Sequence, residues 1–143
     1  MSDKAFVDSN IWLYAFFLRP GEEQRHENAQ ALIDTPIRYV INEQVIAEVS
    51  SNLLRKASMA EGALAGIVTS FYSRCHVVSP DQETHLNASR LRATYQFSYW
   101  DSLIVAAALE SRCAVLYSED LQDGQIVDGT LTIKNPLVAS VLA

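Results

Sequence analysis

Cysteine is scarce in this chain, at two in 143 residues, and Cys75 and Cys113 stand too far apart for a C-x-x-C pair. A disulfide framework is thereby excluded, and both side chains read as buried, reduced thiols. Histidine is nearly as sparse: His26, His76 and His85 are scattered without ligand spacing, which argues against a zinc centre and against a histidine general base. No stretch approaches the roughly 18 uncharged apolar residues of a membrane span, and the start, MSDKAFVDSN, lacks the form of a secretory signal. A soluble, cytoplasmic protein with no membrane partner is the expectation. Basic charge is also in deficit: 11 Lys and Arg face 17 Asp and Glu, a formal charge of -6. That balance argues against coating nucleic acid through a broad basic face. It does not exclude a nuclease, because divalent cations held by several carboxylates cancel their charge locally.

What the chain does contain is 49% hydrophobic residues, enough for one domain with a real core over residues 1–143. Periodicity switches between short β-rich runs and longer helical ones, the pattern of an α/β/α sandwich around a mostly parallel sheet. Strands are expected at Ala5–Val7, Tyr39–Ile41, Cys75–Val78, Ala114–Tyr117 and Leu131–Lys134. Helices are expected at Ile11–Phe17, Glu22–Ile33, from an Asn42 N-cap to Lys56, at Glu61–Tyr72, Asp81–Tyr95, from about Tyr99 or Trp100, and at Pro136–Leu142. Residues 118–124 read as a turn or short helix. Val45, Val49 and Leu53 form one apolar stripe, while SLIVAAALE is apolar nearly all round and reads as a central buried helix.

Four acids sit in apolar or strongly patterned surroundings: Asp8 in FVDSN, Glu48 in VIAEVSSNLL, Asp101 in YWDSLIVAAAL and Asp120 in VLYSEDLQDG. Each has an ordinary explanation on its own. Asp8 or Ser9 suits an N-cap, Asp101 a first helical turn, Glu48 a solvated helix face and Asp120 a turn. Taken together they point further, because two of them interrupt apolar runs where an unpaired charge is costly to bury. Asp8 and Asp120 also follow strands directly, and ligands of parallel sheets bind outside the carboxyl ends of strands.

The segments FVDSNIWLYA, INEQVIAEVSSNLLRK, FSYWDSLIVAAALESRCAVLYSEDLQDGQ and LTIKNPL resemble the PIN-domain ribonucleases, especially the VapC-type toxins of toxin–antitoxin pairs. The resemblance spans nearly the whole chain and implies a PIN-like fold, a metal-dependent endoribonuclease, a cognate antitoxin and a homodimer. Asp8, Glu48 and Asp101 match the family's acidic motif positions, and Asp120 its fourth polar position, so the resemblance makes these four the catalytic ligands of Mg2+ or Mn2+. Asn10 and Ser118 match supporting polar positions. The chain departs from the family in having Ser9 and Ser118 where Thr is frequent, and Asp123-Gly124 where Asp-Phe is often seen. Asp123 therefore belongs either to the metal shell or only to the turn.

Phosphodiester hydrolysis independently asks for such groups. It needs an activated water, charge neutralisation at the phosphoryl oxygens and help for the leaving oxygen, and metals held by hard oxygen ligands supply all three. Arg55, Lys56, Arg90 and Arg92 are candidates for RNA contact, with Tyr99 and Trp100 placed to stack a base. Against this stands the ordinary preference of cations for helix C-termini. Two other functions compete. One is a catalytically silent PIN-like scaffold for RNA or protein; the other is a phosphoacceptor receiver, favoured by Lys134 but without a role for Glu48 or Asp101.

Overall fold

The computed structural model describes residues 4–138. Its strands are β1 (Ala5–Val7), β2 (Val40–Asn42), β3 (His76–Val78), β4 (Val115–Tyr117), β5 (Ile126–Val127) and β6 (Leu131–Lys134). Its helices are α1 (Ser9–Phe16), α2 (Glu23–Ile33), α3 (Glu43–Lys56), α4 (Glu61–Arg74), α5 (Gln82–Tyr95) and α6 (Tyr99–Glu110). The sheet runs β3-β2-β1-β4-β6-β5, parallel throughout except for β5. Helices cover both faces in a three-layer α/β/α fold, as the alternating periodicity predicts. No described helix is long and apolar enough to cross a membrane.

Short strands suffice at the centre of the sheet, where β1 and β2 are buried along their whole length. Ala5, Phe6 and Val7 of β1 and Val40 and Ile41 of β2 are all buried, as Val/Ile-rich central parallel strands require. On the α3 stripe, Val45, Val49 and Leu53 are fully buried. Each such side chain contributes on the order of 1.5–3 kcal/mol through removal from water. α1 packs on α2 and α3, α3 on α4, and α5 on α6. Trp12 locks α1 down by donating Nε1–H to the Val7 carbonyl at 3.1 Å and meeting Phe71 edge-on at 5.1 Å. In α6 every residue from Ser102 to Ala108 is buried, which accounts for its lack of a polar face. Cys75 and Cys113 are free and buried, and burial pushes both thiols up to about 11.

Four sequence expectations shift. The first helix starts at Ser9 rather than Ile11, since Asp8 caps it directly. The second strand extends to Asn42, whose Oδ1 accepts from Val45 N at 3.0 Å and so starts α3. β5 is an unforeseen strand of two residues that pairs antiparallel with β6. Finally, residues 136–138 form a turn and bend instead of starting a helix, with Leu137 N donating to Asn135 Oδ1 at 2.9 Å. The rest of that expected helix, 139–142, lies outside the described residues.

Candidate active site

Strands β1 and β4 are neighbours in register, with Val7 opposite Tyr117, so the residues following them meet at the carboxyl edge of the sheet. Asp8 N donates to the Tyr117 carbonyl at 2.9 Å, which continues the ladder one step and fixes the Asp8 backbone. Its buried carboxylate takes two bonds: Oδ1 accepts from Ser9 N at 2.7 Å and Oδ2 accepts from Ser118 Oγ at 2.9 Å. Asp8 is thus both the α1 cap and part of a polar cluster, so the ordinary reading and the functional one hold together.

Asp120 lies in the loop after β4. Asn10 Nδ2, from the first turn of α1, donates to its Oδ2 at 2.9 Å, and Asp120 N donates to Ser118 Oγ at 3.2 Å. Ser118, itself fully buried, therefore ties Asp8 to the Asp120 backbone. Glu48 projects from the second turn of α3, exposed, where Gln44 Nε2 donates to its Oε1 at 3.1 Å. Asn52 Nδ2 holds the Glu48 carbonyl at 2.8 Å. Asp101 occupies the first turn of α6, half-buried, its amide capped by Ser98 Oγ at 3.2 Å.

Electrostatics links the four acids. Burial pushes the Asp8 carboxyl up to about 6; the bonds from Ser9 and Ser118 oppose that rise, and the charges of Asp120 and Glu48 add to it. The Asp120 carboxyl is likewise raised, by burial first and then by the charge of Asp101, against the bond from Asn10. The charges of Asp120 and Glu48 thus reach Asp8, and that of Asp101 reaches Asp120. Asp8 caps α1 and Asp101 lies in the first turn of α6, where the positive end of each helix dipole favours a carboxylate.

Among the described residues, no three His, Cys, Asp or Glu side chains converge closely enough to hold a metal ion as they stand. The donor chemistry nevertheless suits a hard divalent cation: the four acids offer only oxygen ligands, and among the described residues their side-chain hydrogen bonds come from neutral groups. Ser9 Oγ, next to Asp8 in sequence, is a buried polar atom without a hydrogen-bond partner among the described residues. Glu48 is the exposed member of the set.

Other candidates separate. Asp123 accepts from Asn135 N at 2.8 Å and is engaged in turn structure. Arg90 is held by Asp128, at 2.6 Å from Nη2, and by Asn87. Arg55 donates to Asn52 at 3.1 Å. Lys56 lines a small cavity of about 80 Å³ together with Asn10 and Asn52, beside the acids. Arg92 donates to Ser102 Oγ at 2.8 Å and lies over the Tyr99 ring. Sequence reasoning missed Gln44 and Asn52, which hold Glu48 from one turn before and after it; their spacing of four residues was the available signal. It also missed Glu119, which turns away to Tyr14 and Arg25.

Comparison with known proteins follows the same lines. The PIN domain family model matches residues 5–122. Comparison with curated protein sequences returns no match. Among solved structures, the chain is similar to VapC20 of Mycobacterium tuberculosis, a sarcin–ricin loop cleaving toxin, with TM-score 0.65 and 19% identity over 81% of this chain and 89% of that one. It is also similar to a toxin–antitoxin complex from Klebsiella pneumoniae, with TM-score 0.70 and 21% identity over 92% and 97%. A third similarity is to FitAB bound to an IR36 DNA fragment, with TM-score 0.69 and 14% identity over 97% and 99%. At these identities the structures share the fold.

Proposed function

The chain belongs to the PIN-domain family, and from that premise we propose that it is a metal-dependent endoribonuclease, the VapC-like toxin of a toxin–antitoxin pair. The reading is supported by Asp8 and Asp120 meeting at the carboxyl edge of the sheet, braced by Ser118 and Asn10, with the charges of Glu48 and Asp101 acting on them. Like charges collected from four separate elements are costly in the absence of a cation, and Mg2+ or Mn2+ is the cofactor their oxygens favour.

Asp8, Glu48, Asp101 and Asp120 would hold the ion. When bound, it supplies charge neutralisation at the phosphoryl oxygens and lowers the pKa of a water at neutral pH. The protein's own part is positioning. Ser118 and Ser9 N fix the Asp8 carboxylate, Asn10 fixes that of Asp120, and Gln44 presents Glu48. Asp8, its carboxyl raised by burial to about 6, would hold the ion as the carboxylate. Asp123, occupied by Asn135, is assigned to the turn. Lys56, Arg55 and Arg92 remain the candidates for phosphate contact. Arg90, already paired with Asp128, is the weakest of the four.

An antitoxin partner belongs to the same proposal, supported by the similarity to a toxin–antitoxin complex from Klebsiella pneumoniae, and homodimerisation and a cytoplasmic location are part of that reading. Family membership leaves the receiver alternative without support. The open arrangement of the acids favours one second reading, a PIN scaffold that binds without cutting. Both are tested by incubating labelled RNAs with wild type and Asp101→Asn in Mn2+, Mg2+ or EDTA, alongside calorimetric titration with Mn2+. Metal-dependent cutting lost in the variant supports the nuclease. A correctly folded wild type that neither binds Mn2+ nor cuts is a scaffold.

A further inference from the structure

Tyr14 lies one helical turn after Asn10 on α1, so the two side chains leave the same face of the helix. Both meet the segment that follows β4, at consecutive residues. Asn10 Nδ2 donates to Asp120 Oδ2 at 2.9 Å, and the Tyr14 hydroxyl sits between the two carboxylate oxygens of Glu119, 3.2 Å from Oε1 and 3.3 Å from Oε2. From α2, Arg25 Nε approaches Glu119 Oε2 at 3.4 Å, and the ring of the next residue, His26, stands with Nδ1 2.7 Å from the Tyr14 carbonyl. Glu119 therefore joins three parts of the fold: α1, α2 and the segment that carries Asp120.

That segment has little else to hold it. Among the described residues, 119–121 make no backbone-to-backbone hydrogen bond, and they lie outside every helix and strand. Side chains fix its position instead. Asp120 N rests on Ser118 Oγ, the Asp120 carboxylate on Asn10, the partly buried Leu121 against the core, and Glu119 on Tyr14 and Arg25. α2 depends on polar contacts in the same way, since Ala29 is its one buried residue. Burial and the Glu119 charge both push the Tyr14 hydroxyl up, so at neutral pH it is a donor and not a further anion. The partners of Glu119 also keep a fifth carboxylate turned away from the acid set.

Resting on the nuclease reading, we propose that Glu119 is a positioning residue for Asp120: its clasp on Tyr14 and Arg25 fixes the 119–121 segment against α1 and α2, and so sets the Asp120 carboxylate for the divalent cation. The bond that matters runs from the neutral Tyr14 hydroxyl to an oxygen acceptor at position 119. The Arg25 pair, at 3.4 Å with half of the arginine side chain in water, is the weaker part. A clasp of this kind works through geometry, which separates it from a long-range effect of the Glu119 charge on the ion.

The test compares Tyr14→Phe, Glu119→Ala, Glu119→Gln and the combined Tyr14→Phe, Glu119→Ala protein by two readouts. One is calorimetric titration with Mn2+. The other, in EDTA, is the NMR signal of the Asn10 side-chain amide, which reports its bond to Asp120 whether or not a metal binds. Tyr95→Phe, which removes a hydroxyl from Asp128 at 3.1 Å elsewhere on the fold, is the matched control. Tyr14→Phe leaves the charge unchanged and is expected to weaken Mn2+ binding about 10-fold, the scale of lost support behind a metal ligand. Its Asn10 amide signal should move toward that of Asp120→Ala. Glu119→Ala should do the same, and the combined variant no more, since each removes the same bond. Glu119→Gln keeps an acceptor for Tyr14 and should stay within about threefold of wild type. Tyr95→Phe should match wild type in both readouts. Circular dichroism checks the fold of each protein; if Glu119→Ala fails it, Tyr14→Phe decides. The proposal is overturned by Tyr14→Phe keeping the wild-type Asn10 signal or binding Mn2+ within about twofold of wild type. Glu119→Gln as weak as Glu119→Ala would make the effect one of charge, and Tyr95→Phe as weak as Tyr14→Phe one of general stability; either sinks the clasp. The two readings fail separately. Wild type that binds Mn2+ and cuts RNA, with Tyr14→Phe unchanged, removes the clasp alone. Displaced Asn10 signals in Tyr14→Phe and Glu119→Ala, with neither Mn2+ binding nor cutting by wild type, remove the nuclease alone.

Discussion

Ser118 Oγ stands 2.9 Å from Asp8 Oδ2, joining residues 110 positions apart at the ends of adjacent parallel strands. The same hydroxyl accepts from Asp120 N. One buried serine therefore positions two members of the acid cluster. Ser118→Ala is expected to cost about 1–3 kcal/mol, because it leaves buried polar partners unsatisfied. It should also raise the Asp8 carboxyl further, since the Ser118 bond is among the influences that lower it. Denaturant midpoints at several pH values check both.

Asp8 makes the metal-free protein sensitive to pH. Its carboxyl is raised from 3.8 to about 6 in the fold, so between those values the folded state binds more protons than the unfolded one. Stability then falls as pH rises through that window, by on the order of 2–3 kcal/mol from this group. Asp8→Asn should remove that slope and be the more stable protein at pH 7.5 in EDTA. Urea unfolding of wild type and variant at pH 4.5 and 7.5 measures it, and a parallel slope in both would refute the assignment.

Divalent cation should act in the opposite sense. A cation that binds the folded acids alone stabilises by mass action. Mn2+ is expected to raise the melting temperature of wild type near pH 7.5 and to leave Asp101→Asn unmoved. Thermal scans with Mn2+ or EDTA give the comparison.

Arg90 is expected to be dispensable for RNA. It pairs with Asp128 at the surface, both side chains partly exposed, and such pairs contribute about 0–1 kcal/mol. Arg90→Ala should cut RNA within about twofold of wild type with a small loss of stability, whereas Lys56→Ala, beside Asn10 and Asn52, should cut more slowly. Initial rates at low salt compare them.

Ala106 is fully buried in α6. Ala106→Leu is expected to destabilise by about 1–3 kcal/mol through overpacking, and because α6 carries Asp101 it should lower metal affinity as well. Unfolding midpoints and Mn2+ calorimetry read the two effects.

Much of this molecule is legible along the chain because its signals are local. The Val45, Val49 and Leu53 stripe, the apolar run of α6 and the Asn42 cap each depend on neighbours within a few turns of helix, so periodicity and capping chemistry locate them. Two of the four acids stand out for a similar reason: a carboxylate inside apolar sequence is conspicuous before any fold is known. β5 is not legible, since two residues with Ile126 exposed carry no alternation, and pairing with β6 alone makes them a strand. Asp123 and Arg90 were equally undecidable, because their partners Asn135 and Asp128 lie 12 and 38 positions away. Whether the acids act on one another is of the same kind. Asp8 meets Ser118 because Val7 and Tyr117 are in register across β1 and β4, and Asn10 reaches Asp120 because α1 starts at that edge. Residue type chose the chemistry at each position, while strand register and helix packing, which depend on the whole core closing at once, brought those positions together.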